Sequence, residues 1–320
     1  MTRRVLVTGA AGFVGGHCCQ ALLDDGFRVI GLDNFDPFYD RSVKESTVAG
    51  LSSRPGFLLV EADIRDASSL GPVLGEVDVV LHLAARAGVR PSIAQPELYV
   101  SINVLGTATL LEACRHAGVR RFVFGSSSSV YGDATPVPFR EDAPAVEPIS
   151  PYAATKRAGE LLCDVYARLH GFRIAVLRLF TVYGPRQRPD LAIHRFTRLI
   201  AAGQPIEQYG DGSSERDHTH VDDIVNGVRG ALRWMTVDQE GFEIFNLGES
   251  RTVRLDRLIG LIAAELGLEP LVIPVDMPEG DVRRTHADIS KARRVLGYQP
   301  QVPIEEGIRQ FVDWYRHSGG

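Results

Sequence analysis

Arg4-Val5-Leu6-Val7-Thr8-Gly9-Ala10-Ala11-Gly12-Phe13-Val14-Gly15 runs from a short apolar stretch, through three glycines spaced three apart, into an apolar-patterned helix. A turn of this kind between strand and helix is suited to meet a pyrophosphate. Gly9 permits the tight turn, Gly12 lets the backbone approach the ligand, and Gly15 lets the helix pack closely on the strand. The helix N-terminus adds unpaired N–H groups and the positive end of its dipole. A glycine triplet alone also describes a flexible turn, so the flanks decide. The next apolar run, 27–32, ends in Asp33, where a dinucleotide-binding fold places a carboxylate for the ribose 2′-hydroxyl. Asn34 follows instead of an arginine, which favours NAD over NADP.

Outward from this turn, short apolar runs alternate with helical patterns. Strands are expected at 4–8, 27–32, 57–61, 78–83, 120–125 and 173–179, and helices at about 13–25, 66–75, 96–117 and 152–170. That rhythm predicts a doubly wound, Rossmann-type α/β fold with a parallel sheet and ligands at the carboxyl ends of its strands. It breaks after Tyr183-Gly184-Pro185, where a helix at 191–202, Pro205 and a Gly210-Asp211-Gly212 turn follow. A strand at 242–247 returns to the sheet, and the chain from 251 reads as two more helices with loops, a smaller substrate cap. The expected domains therefore interleave: 1–181 plus 217–250 for the dinucleotide, and 182–216 plus 251–320 for the substrate.

The 320 residues carry a net charge of −5 with both signs interspersed, so neither a nucleic-acid partner nor a polybasic membrane anchor is expected. Met1-Thr2-Arg3-Arg4 leads straight into the first strand without a signal peptide, and no apolar run is long enough for a bilayer. Cys18, Cys19, Cys114 and Cys163 fall on helical stretches without ligand spacing and read as core residues of a reduced, cytoplasmic protein. The run Asp217-His218-Thr219-His220-Val221-Asp222-Asp223 resembles a metal site, but residues two apart do not share a helix face. Thr219 is expected instead to cap a helix whose first turn carries the two aspartates, and no metal is expected. His82 reads as a packed strand-end residue near the cofactor.

Chemistry concentrates in Ser150-Pro151-Tyr152-Ala153-Ala154-Thr155-Lys156. Ser150 suits the cap and Pro151 the first turn, which puts Tyr152 and Lys156 on one helix face. A free tyrosine, with a pKa of about 10, is a poor base at neutral pH. A neighbouring ammonium and a positive nicotinamide favour its phenolate. On its own the pair also fits an ordinary amphipathic helix. The third element is Gly125-Ser126-Ser127-Ser128-Ser129-Val130-Tyr131-Gly132, hydroxyls crowded at the end of the fifth strand. It is not a nucleophile elbow, since Gly-x-Ser-x-Gly is absent.

Together these motifs resemble the extended short-chain dehydrogenase/reductases, specifically the nucleotide-sugar epimerases and dehydratases. The resemblance covers nearly the whole chain and includes His82-Leu83-Ala84-Ala85, Asn103, Arg216-Asp217 and Val221-Asp222-Asp223. Within that family the chain looks most like the UDP-glucuronate 4-epimerases, through Asp33-Asn34-Phe35 with Tyr39-Asp40, Ala87-Gly88-Val89-Arg90, and the stretch from Phe180-Thr181-Val182 to Arg186-Gln187-Arg188-Pro189-Asp190. The resemblance implies a triad of Ser127, Tyr152 and Lys156. It implies an NAD site of Gly9, Gly12, Phe13, Val14, Gly15, Asp33, Asn34, Leu83, Ala84, Ala85, Asn103, Tyr152 and Lys156, with Asp63 and Ile64 beside the adenine. Ser127, Ser128, Ser129, Thr181 and Arg188 would surround the sugar and its carboxylate, and Arg216 would face the diphosphate of a UDP-sugar, with Asp281 nearby. Arg86 and Arg90 read equally as substrate contacts or solvated charges, and Arg90 is carried as a contact. Met277-Pro278-Glu279 precedes Gly280-Asp281 without the arginine that galactose-type epimerases often place there, leaving Arg216, or Arg283, to carry the phosphate charge. The apolar faces of 96–117 and 152–170 would pair across a homodimer.

The resembling 4,6-dehydratases carry Asp-Glu where Ser128-Ser129 stand, because elimination needs an acid and a base, and the decarboxylases carry Glu at the second place. Two hydroxyls with Arg188 suit a retained carboxylate. The expected function is therefore C4 epimerisation of UDP-glucuronate through a 4-keto sugar. UDP-glucose epimerisation and decarboxylation are the nearest alternatives, and a non-catalytic NAD sensor is the remote one.

Overall fold

The computed structural model describes residues 3–236, 240–276 and 284–318. Its strands are β1 (Arg4–Thr8), β2 (Arg28–Asp33), β3 (Phe57–Glu61), β4 (Val79–His82), β5 (Arg121–Ser127), β6 (Arg173–Leu179), β7 (Thr181–Tyr183), β8 (Ile206–Tyr209), β9 (Glu215–His220), β10 (Gly241–Leu247), β11 (Thr252–Arg254) and β12 (Val272–Val275). The helices are α1 (Phe13–Asp24), α2 (Arg41–Ser52), α3 (Ala67–Leu74), α4 (Val89–Ala94), α5 (Pro96–Tyr99), α6 (Gly106–Ala117), α7 (Pro151–His170), α8 (Ala192–Ala201), α9 (Val221–Trp234), α10 (Leu255–Leu266), α11 (Ser290–Leu296) and α12 (Ile304–His317).

Seven strands form one sheet in the order β10-β6-β5-β4-β1-β2-β3, and every neighbouring pair is parallel. The central strands β1 and β4 are largely apolar, as a parallel sheet covered by helices on both faces requires. Val5, Val7 and Leu81 face one apolar core, while Leu6, Val80 and Phe122 face the other. The order reverses between β1 and β4, which opens a crevice at their carboxyl ends. A further core joins Tyr183, Phe196, Ile259 and Phe311 from β7, α8, α10 and α12. This second lobe carries two small sheets, β11-β9-β7 and β12-β8. Ala287, Ala292 and Leu296 pack into the first core instead.

Several elements depart from the sequence expectation. β5 runs on through Ser126 and Ser127, so both hydroxyls are strand residues. The single helix expected at 96–117 is divided, with wider π-helical turns at Val100–Leu105 between α5 and α6. Gly106 closes that segment against Ile64, where a Cβ would come within 2.6 Å of the Ile64 side chain. α2 was not foreseen, because only Lys44, Thr47, Val48 and Leu51 are buried on it and the apolar stripe is thin. Thr219 does not cap α9. β9 continues to His220, whose Nδ1 accepts from the Asp222 N–H at 3.3 Å. His218 and His220 thus alternate on a strand and share a face. Both rings pack on Tyr183, at 6.1 and 5.4 Å.

Candidate active site

The crevice above β1, β4 and β5 is a cavity of about 470 Å³. The glycine turn forms one wall. Gly9 adopts φ +74°, and a Cβ on it would lie 2.9 Å from the Ala84 nitrogen. A Cβ on Gly15 would lie 2.0 Å from the Gly9 carbonyl oxygen, so only glycine lets α1 start this close to β1. Asp33 Oδ2 accepts from the Ala11 N–H at 3.1 Å, and Oδ1 accepts from the Phe35 N–H at 2.9 Å. The carboxylate therefore ties the turn to the end of β2 and keeps lone pairs for a ribose hydroxyl. Asn34 donates to Asp63 at 2.9 Å, and Arg65 grips the same carboxylate. Hydrogen bonds from Arg65, first among the influences, hold the Asp63 carboxyl down at about 2. This cradle, with Phe13, Val14, Ile64, Leu83, Ala84 and Ala85 beside it, fits a dinucleotide.

The opposite wall carries the hydroxyls and the helix pair. The Ser150 hydroxyl accepts from the Ala153 N–H at 3.1 Å and Pro151 opens α7, as the sequence predicts. Ser127, Ser128, Ser129, Tyr152, Lys156, Thr181 and Arg188 all line the same cavity. Ser127 donates to the Ser129 hydroxyl at 3.0 Å and also contacts the Tyr152 phenol. Burial pushes the Tyr152 phenol up, and Ser127 and Arg188 pull against that shift. Lys156 donates to the Gly125 carbonyl at 2.7 Å. Burial pushes its ammonium down to about 8, with Glu160 opposing. The Arg188 guanidinium is a cation whose charge acts on the Tyr152 phenol, and Lys156, one turn along α7, lines the same cavity.

The other candidates lie outside the cavity lining or outside the described residues. Asn103 is buried in the π-helical turns, where it accepts from the Arg86 N–H at 2.8 Å and donates to the Arg86 carbonyl at 3.0 Å. It fixes the loop after β4 and does not itself line the cavity. Arg90 donates to the Tyr209 hydroxyl at 2.8 Å, outside the lining. Arg216 sits opposite Val253 in the β9–β11 ladder, also outside the lining. Asp281 and Arg283 lie outside the described residues. His82 is buried between Thr8 and Thr107, at 2.7 and 3.0 Å, and burial pushes its imidazole down to about 3.

The sequence reading missed Asp36, Phe38, Tyr39 and Lys44, which close one side of the cavity, and left Arg86 undecided. Their signal was the spacing of Asp33, Asn34, Asp36 and Asp40, each of which accepts from the backbone N–H two residues on. It also missed Glu160 and Arg178, a buried forked pair with both contacts at 2.8 Å behind the serines, since side chains on different elements give no local pattern.

Residues 5–248 match the NAD dependent epimerase/dehydratase family. The chain belongs to that family. It is 39% identical to a UDP-glucuronate 4-epimerase of Thermodesulfobacterium geofontis, over 98% of this chain and 96% of the relative. It is 43% identical to UDP-glucuronate 4-epimerase 1 of Arabidopsis thaliana, over 97% of this chain and 76% of the relative. The structure superposes on UDP-glucuronic acid 4-epimerase from Bacillus cereus, solved with UDP-glucuronic acid and NAD. The TM-score is 0.92 at 37% identity, covering 98% of this chain and 99% of that one. As a family member the chain uses NAD, and the cradle described above is where its residues would hold it.

Proposed function

We propose that this family member is an NAD-dependent UDP-glucuronate 4-epimerase. The observation that carries the reading is the convergence of Ser127, Ser128, Ser129, Thr181, Arg188, Tyr152 and Lys156 on one cavity, opposite the glycine turn. NAD, when bound, supplies the hydride acceptor and donor that take C4 through a 4-keto sugar. Tyr152 receives and returns the O4 proton, with the Ser127 hydroxyl in its hydrogen-bond path. Lys156 supplies positive charge that favours the phenolate. Arg188 grips the sugar carboxylate with Ser128, Ser129 and Thr181, holding it away from the alignment in which a β-keto acid loses carbon dioxide. The lining carboxylates Asp33, Asp36 and Asp63 lie at the end of β2 and in the segments after β2 and β3, so the β5 end offers hydroxyls and no acid–base pair for elimination.

In this reading residues 1–181 plus 217–250 serve mainly NAD, and 182–216 plus 251–320 mainly the UDP-sugar. The separate core of the second lobe supports that division, while Ala287–Leu296 leans on the first core. A homodimer is part of the proposal. Leu161, Val165 and Leu169 repeat at a spacing of four on α7 and stay 52%, 46% and 72% exposed, a stripe suited to a second copy. Four free, buried cysteines support a cytoplasmic location. No described helix is long and apolar enough to cross a membrane.

The test is incubation with UDP-glucuronate, followed by proton NMR and carbon dioxide release. UDP-galacturonate growing to an equilibrium mixture with little gas supports the reading. A pentose with stoichiometric gas points to a decarboxylase, and turnover of UDP-glucose alone points to the neutral-sugar epimerase. Tyr152→Phe is expected to lose turnover and keep NAD; full activity in that variant removes the mechanism.

A further inference from the structure

Two guanidinium groups lie close to the Phe38 ring. Arg86 lies 4.7 Å and Arg188 lies 5.2 Å from its ring centroid, both within cation–π range. Each cation has its own aspartate. Arg86 pairs with Asp36, and Arg188 forks onto Asp190 through Nε and Nη2 at 3.0 and 2.7 Å. The Arg188 side chain is 16% exposed. Its Nη1 makes no hydrogen bond among the described residues, so the end of the guanidinium remains available after Asp190 has taken the side.

The segment that brings Phe38 there is a built strap. Successive Asx turns at Asp33, Asn34, Asp36 and Asp40 fix its backbone. Lys44 donates to the Asp36 carbonyl at 3.0 Å and lies over the Tyr39 ring at 5.1 Å. Phe35, at φ +51°, packs with Ala11 and Val48. Arg86 is held in turn by Asn103 on its backbone. Both neighbours of Arg188, the ring and the carboxylate, are thus anchored to elements outside its own loop or close within it.

We propose that Phe38 is a positioning residue for acid-sugar recognition: in cation–π contact with both Arg188 and Arg86, it holds the Arg188 guanidinium end-on to the sugar carboxylate. The inference rests on the role given to Arg188 above. Phe38 acts through that arginine, and an arginine free to swing about Asp190 grips the carboxylate less often. The strap that closes the dinucleotide side of the cavity therefore also sets selectivity between acid and neutral sugars.

The test measures binding to the NAD-loaded enzyme in a Tyr152→Phe background, which stops turnover. Affinities for UDP-glucuronate and UDP-glucose are compared by calorimetry for Phe38→Leu, Phe38→Tyr, Arg188→Ala and the Phe38→Leu/Arg188→Ala double variant. Phe38→Leu is expected to weaken UDP-glucuronate three- to tenfold and UDP-glucose less than twofold. Phe38→Tyr keeps the ring and is expected to restore most of that affinity. In the Arg188→Ala background Phe38→Leu is expected to change UDP-glucuronate binding less than twofold. Equal weakening of both sugars, unchanged acid-sugar binding in Phe38→Leu, or persistence of its effect without Arg188 overturns the positioning role. Unchanged acid-sugar binding in Arg188→Ala overturns the reading of Arg188 itself, a separate result.

Discussion

Replacing Glu160 with Gln tests the buried charge pair that supports the β5 serines. Glu160 and Arg178 are 0% and 1% exposed, joined by two contacts of 2.8 Å, and the Ser126 hydroxyl donates to Glu160 at 2.6 Å. Arg178 also lies over the Tyr131 ring, at 4.6 Å. Burial works against the Glu160 carboxylate, but Arg178 and Ser126 outweigh it and hold its pKa below the ordinary value. Glutamine keeps an acceptor and removes the charge, leaving the Arg178 guanidinium buried without its counterion. Breaking such a pair costs about 3–5 kcal/mol, and the retained acceptor puts this case at about 3 kcal/mol. At about 2.1 cal/mol/K per residue, a chain of 320 residues has an unfolding entropy near 0.7 kcal/mol/K, so Tm is expected to fall by about 4–5 °C. A depressed carboxylate stabilises the fold above its unfolded pKa and loses that contribution as pH falls through the folded value. The deficit of the variant is therefore largest near neutrality and shrinks in acid. Glu160 also supports the charge of Lys156, one helical turn earlier. Without it the Lys156 value drops below about 8, and the alkaline limb of kcat/KM moves to lower pH. Scanning calorimetry at pH 7 and pH–rate profiles provide the assay. A Tm within 1 °C of the parent, together with an unmoved alkaline limb, would refute the argument.

Gly15→Ala drives a Cβ to within 2.0 Å of the Gly9 carbonyl oxygen and should abolish NAD retention, read from the cofactor released on denaturing the purified protein. For the unaltered enzyme, Lys156 places the alkaline limb of kcat/KM near pH 8; because its folded value is depressed from 10.5, the unfolded chain holds the extra proton between those values and stability rises with pH across that window. Tyr183 buries a hydroxyl without a partner among the described residues, so Tyr183→Phe should leave thermal stability unchanged or raise it by up to about 1 kcal/mol, measured by thermal denaturation. Burial pushes the thiols of Cys18 and Cys114 up to about 12, so a thiol reagent should find them inert until the protein is unfolded.

Local chemistry made much of this protein readable from sequence alone. Glycines at 9, 12 and 15, the strand ending at Asp33, and the Ser150-Pro151 start of a helix each specify backbone geometry through near neighbours, so the parallel sheet and the Tyr152–Lys156 face follow from short stretches. The periodicity of 2 and 3.6 residues carries that information because burial on a sheet or helix face repeats along the chain. The tertiary structure alone decided which distant side chains meet. It set Glu160 on α7 against Arg178 on β6, and brought both Arg86 and Arg188 within cation–π range of Phe38. It kept Arg90 and Arg216 outside the cavity lining, and moved the α9 cap from Thr219 to His220 by prolonging β9. Ion pairs and cation–π contacts depend on separations of a few ångströms between residues far apart in sequence, and those separations are fixed only when the elements dock.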